Sequence, residues 1–416
     1  MITRYHNKAA KAVKIMNERL IHTPEGVRDI YNSECTRKNQ LTGRLKAVLK
    51  SYGYHDIQTP TFEFFDIFNQ DKSVPSNQMY KFFDREGNTL VLRPDITPSI
   101  ARAVSKYFQE ETFPMRFSYN GNVFINNSSL QGRMKESTQM GAELINDDSV
   151  DADAEMTALA VKMLLASGLT EFQIDVGHVG FFKGLIEEAG IDKETEQQLR
   201  ERIENKNYFG VEELTDNEAL IQLPKLFGSG DILARAEELT GNPRALSAIK
   251  RLKELYDILG AYGLQKYVTF DLGMLTEYDY YTGIIFRGYT YGTGEEVVQG
   301  GRYDDLLQKF GKSAAAVGLA VRVDQVLNAL IRQKIASDHA ETDTLLLYAS
   351  QNRSEAIRLA SVLRDSGRSV QLTSFASDME AEDYTDYAKR FHIREIMSVN
   401  ADGSTSKIKV TGGTRS

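Results

Sequence analysis

The 416-residue chain has one cysteine, Cys35, no tryptophan and only eight prolines. A single thiol cannot close an intramolecular disulfide. That excludes a disulfide-stapled scaffold and fits a reducing, cytoplasmic setting. No run of about 18 apolar residues occurs, so no membrane span is expected. Residues 1–21 are mixed basic and polar, lack the apolar stretch of a signal peptide, and are expected to form an N-terminal arm. The six histidines are scattered without ligand-like spacing, so neither a metal site nor a cofactor is predicted. A net charge of -8 opposes wrapping of nucleic acid, which draws on clustered Lys and Arg.

What is present is an ordinary soluble composition, 41% apolar and 26% charged, able to bury a core of normal size. Residues 22–331 read as one core. Leu45, Val48, Leu49 and Tyr52 fall on one helix face, closed by Gly53. His55 to Phe65 reads as a strand, with Pro60 near an edge or break. Leu90 to Leu92, Met115 to Tyr119 and Phe172 to Val176 read as strands, and Met156 to Leu164 as a helix ended by Gly168. Residues 186–262 are rich in Glu, Lys, Leu and Ala and predict an all-helical insertion. Val268 to Leu272, Gly283 to Gly288 and Glu295 to Gln299 return to strand, and Ala314 to Leu330 runs from strand into helix. Residues 343–416 alternate strands and helices as a small C-terminal α/β domain with ten acidic and ten basic residues. Few βαβ spacings occur, so the fold class expected is α+β: an antiparallel sheet flanked by helices.

Three clusters carry the chemistry. In Leu92-Arg93-Pro94-Asp95-Ile96-Thr97-Pro98, an acid and a hydroxyl two residues apart at a strand end can face one pocket. The same residues read equally as a helix start, with Thr97 as cap and Pro98 at the first position. The run Thr276-Glu277-Tyr278-Asp279-Tyr280-Tyr281-Thr282-Gly283 offers flat walls and hydroxyls for a small polar ligand, or an ordinary aromatic hairpin. Gln299-Gly300-Gly301-Arg302-Tyr303-Asp304 pairs glycines that let a backbone approach closely.

In this order the three clusters resemble the class II histidyl-tRNA synthetase family, in which such stretches surround bound histidine. Thr23-Pro24-Glu25-Gly26-Val27-Arg28-Asp29 is similar to that family's opening signature. Pro60 is similar to the proline of its dimer-forming motif, and Gly132 to Gln139 to the second half of its ATP-site hairpin. The resemblance runs from Thr23 to Leu330, with a helical insertion at the expected place. It implies a histidine-facing set of Asp95, Thr97, Gln139, Glu143, Tyr280, Tyr281 and Tyr303, and a homodimer through the core.

The resemblance fails at the nucleotide. Amino-acid activation needs cations on the ATP phosphates, and arginine supplies them bidentately. Ile125, Thr276 and Gln325 stand where the family places its three arginines, and Arg322 stands at a usual glycine, where it can fill part of the vacated space. Loss of one strong transition-state donor costs about two to three decades in rate, and three losses oppose activation. With Thr276 in place of an arginine, the partner of a bound histidine's carboxylate is open; Arg116 is a candidate by proximity to the hairpin.

An amino-acid half kept beside a nucleotide half lost resembles the regulatory subunits of ATP phosphoribosyltransferase, synthetase paralogues that do not charge tRNA. That resemblance implies a non-catalytic chain partnering a short-form catalytic subunit at the first step of histidine biosynthesis, in a hetero-oligomer, with histidine feedback. The C-terminal domain would then be a reduced anticodon-binding domain. Three alternatives stay open: an active or degenerate histidyl-tRNA synthetase, a tRNA-sensing module, or a merely structural polar core at the histidine set.

Overall fold

The computed structural model describes residues 21–69, 74–127, 133–275, 280–335, 342–375, 380–400, 402 and 404–409. The expected N-terminal arm, apart from Ile21, lies outside them, as does Thr276. The chain divides into two compact units, one within Met1–Asp29 and Lys38–Ile335 and the other within Ile30–Arg37 and Ala336–Ser416.

The first unit takes α1 (Asn32–Ser51) from Lys38 onward, then β1 (His55–Asp56), β2 (Phe62–Phe64), β3 (Lys81–Phe83), β4 (Thr89–Leu92), α2 (Thr97–Tyr107), β5 (Met115–Phe124), β6 (Glu136–Ile145), α3 (Val150–Ser167), β7 (Phe172–His178) and α4 (Val179–Ala189). After α5 (Lys193–Glu204) come β8 (Phe227–Gly228), α6 (Pro243–Ala261), β9 (Val268–Asp271), β10 (Ile284–Thr290), β11 (Val298–Arg302), β12 (Ala316–Arg322) and α7 (Val323–Arg332). One nine-stranded sheet orders them β1-β5-β6-β12-β11-β10-β7-β9-β8.

That sheet is mixed, a correction to the antiparallel expectation. The β5-β6-β12-β11-β10-β7 centre is antiparallel, but β1 joins β5 in parallel and β9 joins β7 in parallel. A parallel pair needs a long crossover, and the helical insertion between β7 and β9 supplies it. The insertion differs from expectation in two ways. Helix starts at Val179, seven residues early, because His178 Nδ1 accepts the Gly180 N–H at 3.0 Å as its cap. Burial holds that imidazole neutral by pulling its pKa down to about 3. A short strand, β8, also leaves the insertion to extend the sheet edge. The single strand expected over 55–65 is two strands in two sheets, broken around Pro60, with β2-β4-β3 forming a small antiparallel sheet.

Strand alternation gives the sheet two unlike faces. Ala142, Leu144, Val317, Leu319, Val321, Val298, Phe286, Ile174 and Val176 pack on the helices' Leu41, Leu45, Leu49, Met156, Leu159 and Leu164 as the main core. The helix ends match the sequence cues. Ser149 caps α3 by accepting the Ala152 N–H, and Gly168, at φ 106°, ends it. The opposite face carries Glu143, Gly141, Gly318 and Ala320 and is covered by a second cluster including Ile96, Ile100, Tyr119, Tyr280 and Tyr303.

The second unit holds β13 (Thr342–Tyr348), α8 (Arg353–Asp365), β14 (Val370–Ser374), α9 (Ala381–Arg390), β15 (Ile393–Val399) and β16 (Thr405–Lys409). Its sheet runs β14-β13-β15-β16, with the first three strands parallel, the βαβ pattern read from the sequence. Among the described residues no helix is long and apolar enough to cross a membrane.

Candidate ligand site

Cross-strand register builds the site floor. One row across the sheet reads Ile285, Gly301, Gly318, Glu143 and Phe117; the next reads Arg287, Gln299, Ala320, Gly141 and Tyr119. Directly opposed residues share a face, so the middle of the floor is formed by Gly301, Gly318, Ala320 and Gly141, with the Glu143 carboxyl and Gln299 among them. The small residues are required. A Cβ on Gly318 would overlap the Glu143 carboxyl, and one on Gly141 would overlap the Tyr119 ring and the Leu319 carbonyl.

Glu143 is the buried centre, 1% exposed. Its Oε1 accepts the Thr97 hydroxyl at 2.7 Å, and its Oε2 accepts the Tyr303 hydroxyl. Burial pushes its pKa up to about 8; the two hydroxyls work against that shift and the nearby Asp95 charge adds to it. Thr97 is therefore no helix cap. It is the first residue of α2; the cap position is Ile96, without a side-chain cap bond, and Asp95 Oδ1 accepts the Ile96 N–H at 2.6 Å and the Thr97 N–H at 3.4 Å. Asp95 Oδ2 accepts the Tyr280 hydroxyl at 3.2 Å. Tyr280 stacks at a tilt on Tyr281, centroids 4.8 Å apart, and meets Tyr303 edge-on at 5.9 Å, so the three tyrosines make one wall.

Six of the seven predicted ligand residues, Asp95, Thr97, Glu143, Tyr280, Tyr281 and Tyr303, line one cleft with Gln299, Gly300, Gly318 and Ala320. Gln139 does not. Tyr119 fills the space over Gly141, between Gln139 and Glu143, and leaves the Gln139 Oε1 buried without a hydrogen-bond partner. The cleft is nearly closed, with about 20 Å³ free. That admits a water molecule, where ligand pockets run to about 300 Å³ and more.

Sequence reasoning missed three contributors. Arg93, buried, donates to the carbonyls of Thr59, Pro60 and Asn122 and so pins the segment that carries Asp95. Gln299 heads the third sequence cluster but is given no role there, Tyr119 carries no motif signal, and strand register places both on this floor.

On the nucleotide side, Ile125 follows the end of β5, its N–H donating to the Lys135 carbonyl. Gln325 Nε2 donates to Glu295 Oε2 at 2.9 Å. Arg322 reaches Glu295 and Glu296, and Arg133 pairs with Glu295 at 3.1 Å. The arginines present there are neutralised by carboxylates. Arg116 is excluded as the carboxylate partner: it points to the helix face of the sheet, opposite Leu144, and grips Glu155 through two bonds of 2.9 and 2.8 Å. Among the described residues no group of three His, Cys, Asp or Glu could hold a metal ion.

The sequence and the fold have known counterparts. A family model for histidyl-tRNA synthetase matches residues 26–326. An ATP phosphoribosyltransferase regulatory subunit from Acetivibrio thermocellus is 42% identical over 374 residues, covering 88% of this chain and 90% of its own length. One of the same name from Clostridium kluyveri is 39% identical, covering 87% and 96%. A solved ATP phosphoribosyltransferase regulatory subunit/histidyl-tRNA synthetase from Bacillus halodurans matches at TM-score 0.82 and 31% identity, covering 91% of this chain and 98% of that one. A histidyl-tRNA synthetase from Nostoc sp. PCC 7120, at TM-score 0.76 and 19% identity, covering 94% and 97%, shares the fold. The chain belongs to the histidyl-tRNA synthetase family of class II folds, within its branch of ATP phosphoribosyltransferase regulatory subunits.

Proposed function

We propose that this chain is the non-catalytic regulatory subunit of an ATP phosphoribosyltransferase. It pairs in the cytoplasm with a short-form catalytic subunit at the first step of histidine biosynthesis, as a homodimer within a larger hetero-oligomer, and takes histidine as its effector. The observation that carries this reading is the one-sidedness of the site. Its acid, hydroxyl and tyrosine half is intact and mutually hydrogen-bonded, while the positions facing a nucleotide hold Ile125, Gln325 and arginines already bound to Glu295 and Glu296. ATP activation has no free cation to use at those positions.

In this reading Asp95 and Glu143 meet the ammonium of histidine. Tyr280, Tyr281 and Tyr303 flank its imidazole, and Thr97 serves as a neutral partner. The narrow cleft means the tyrosine wall must shift for entry, so the affinity for histidine is reduced by the fraction of chains in the open form. Feedback then requires histidine to favour one state of the complex by about 1–3 kcal/mol. The second unit, a reduced anticodon-binding domain in this view, binds no tRNA.

The test is co-expression with a short-form ATP phosphoribosyltransferase. Phosphoribosyl transfer is expected only when both chains are present, with histidine lowering it. Failure to co-purify, or histidine-dependent ATP–pyrophosphate exchange by this chain alone, would refute the reading.

A further inference from the structure

We propose that Arg287 is the cation that receives the carboxylate of an amino-acid zwitterion in this cleft, replacing the arginine absent at Thr276. The inference rests on the histidine reading above and extends it to the end of the ligand that no predicted residue served.

Arg287 lies on β10 in the same floor row as Gln299 and Ala320, both of which line the cleft. It is half-buried, and its Nη2 donates to the Leu275 carbonyl at 3.0 Å. Leu275 immediately precedes Thr276 in the chain. The guanidinium is thus tethered at Leu275, the last described residue before the position where the family's arginine is replaced by Thr276.

The described hydrogen-bond partners of Arg287, the Leu275 carbonyl and the Tyr289 side chain, are neutral. Among the described residues no carboxylate lies within ion-pairing distance of Arg287. Its cross-strand neighbour Asp175 is turned to the Thr269 hydroxyl, at 2.5 Å. Beside it the Gln299 side chain, among the described residues, makes no hydrogen bond. Every other arginine named on this side of the sheet is either buried on backbone carbonyls (Arg93) or held by glutamates (Arg133, Arg322).

The placement suits a zwitterion. Glu143 on β6 and Arg287 on β10 stand three strand spacings, or about 14 Å, apart across a floor of Gly318, Ala320 and Gln299. The side chains of Glu143 and Arg287 each take up part of that span. A compact amino acid lying over Ala320 then meets an acid with its cationic groups and a planar fork with its carboxylate. Arginine binds carboxylates in that bidentate manner.

Calorimetric titration of L-histidine and of histamine, which lacks the carboxylate, into the full chain tests this. Wild type is expected to bind histidine tighter than histamine. R287Q should weaken histidine about ten- to a hundredfold while leaving histamine unchanged, the size of one charge-assisted contact, and R287K should restore part of the difference. Thermal melts check that each variant is folded. If R287Q weakens both ligands equally, or neither, the role of Arg287 is overturned while histidine binding stands. If wild type binds neither ligand, both readings fall.

Discussion

Replacing Glu143 by glutamine should stabilise this protein above neutral pH, because the native carboxyl is a buried acid whose charge is unwelcome. It is 1% exposed and burial raises its pKa from 4.5 to about 8. A raised acid pKa means the folded chain holds a proton that the unfolded chain has lost. Stability from this group is therefore fully present below about pH 4.5 and falls as pH rises towards 8, by up to about 1.4 kcal/mol per pH unit. Summed over that window the loss is at most on the order of 5 kcal/mol, reduced by whatever water reaches the charged form. A glutamine has the donor and acceptor complement of the protonated carboxyl. It can accept one of the Thr97 and Tyr303 hydroxyls and donate to the other oxygen. E143Q should then match wild type near pH 5 and exceed it at pH 8.5. Urea unfolding across pH 5–9 measures this. A wild-type slope that survives in E143Q, or a variant destabilised at every pH, would refute the assignment. The same protonation predicts that histidine binding near pH 7 releases a proton, seen as a binding enthalpy that depends on the buffer in wild type and not in E143Q.

Gly318→Ala should cost about 1–3 kcal/mol or more, because the added methyl overlaps the Glu143 carboxyl; introducing it into an E143A background should recover part of that loss in urea midpoint. Restoring arginine at two lost positions, I125R with Q325R, should leave ATP–pyrophosphate exchange at background. The Glu295 carboxylate that now holds Gln325, Arg133 and Arg322 would take up the new guanidinium at 325. Histidine-dependent exchange by that variant would show that the missing arginines alone block activation.

The sequence was legible where a residue's role is local. Gly53 and Gly168 end helices at positive φ, Pro60 marks a strand break, and the α/β alternation of the last 75 residues follows from period and turn chemistry. It was legible at the site where motifs cluster, since Asp95 to Thr97 and Tyr280 to Tyr303 lie close along the chain. What stayed hidden depends on register between distant strands. Tyr119 meets Gly141 and Arg287 meets Gln299 only because β5, β6, β10 and β11 pair as they do. Periodicity assigned Arg116 to the right strand, but not to the face that turns it away from the cleft.

That distinction bears on which residues speak for a ligand. The persistence of Thr97, Glu143 and Tyr303 has an explanation in folding alone. Each satisfies another's buried polar atoms, and losing one partner leaves the rest at a cost of about 1–3 kcal/mol each. Gly318 persists for the same reason, as the only residue that leaves room for the carboxyl. Arg287 is tied more loosely. It is half-exposed, its Nη2 bonded to the Leu275 carbonyl and its side chain to that of Tyr289. A charge with no carboxylate partner among the described residues, lying across a floor of Gly318, Ala320 and Gln299 from Glu143, points to something that binds between them. The case for a zwitterionic effector therefore rests more on this arginine than on the acids that first suggested it.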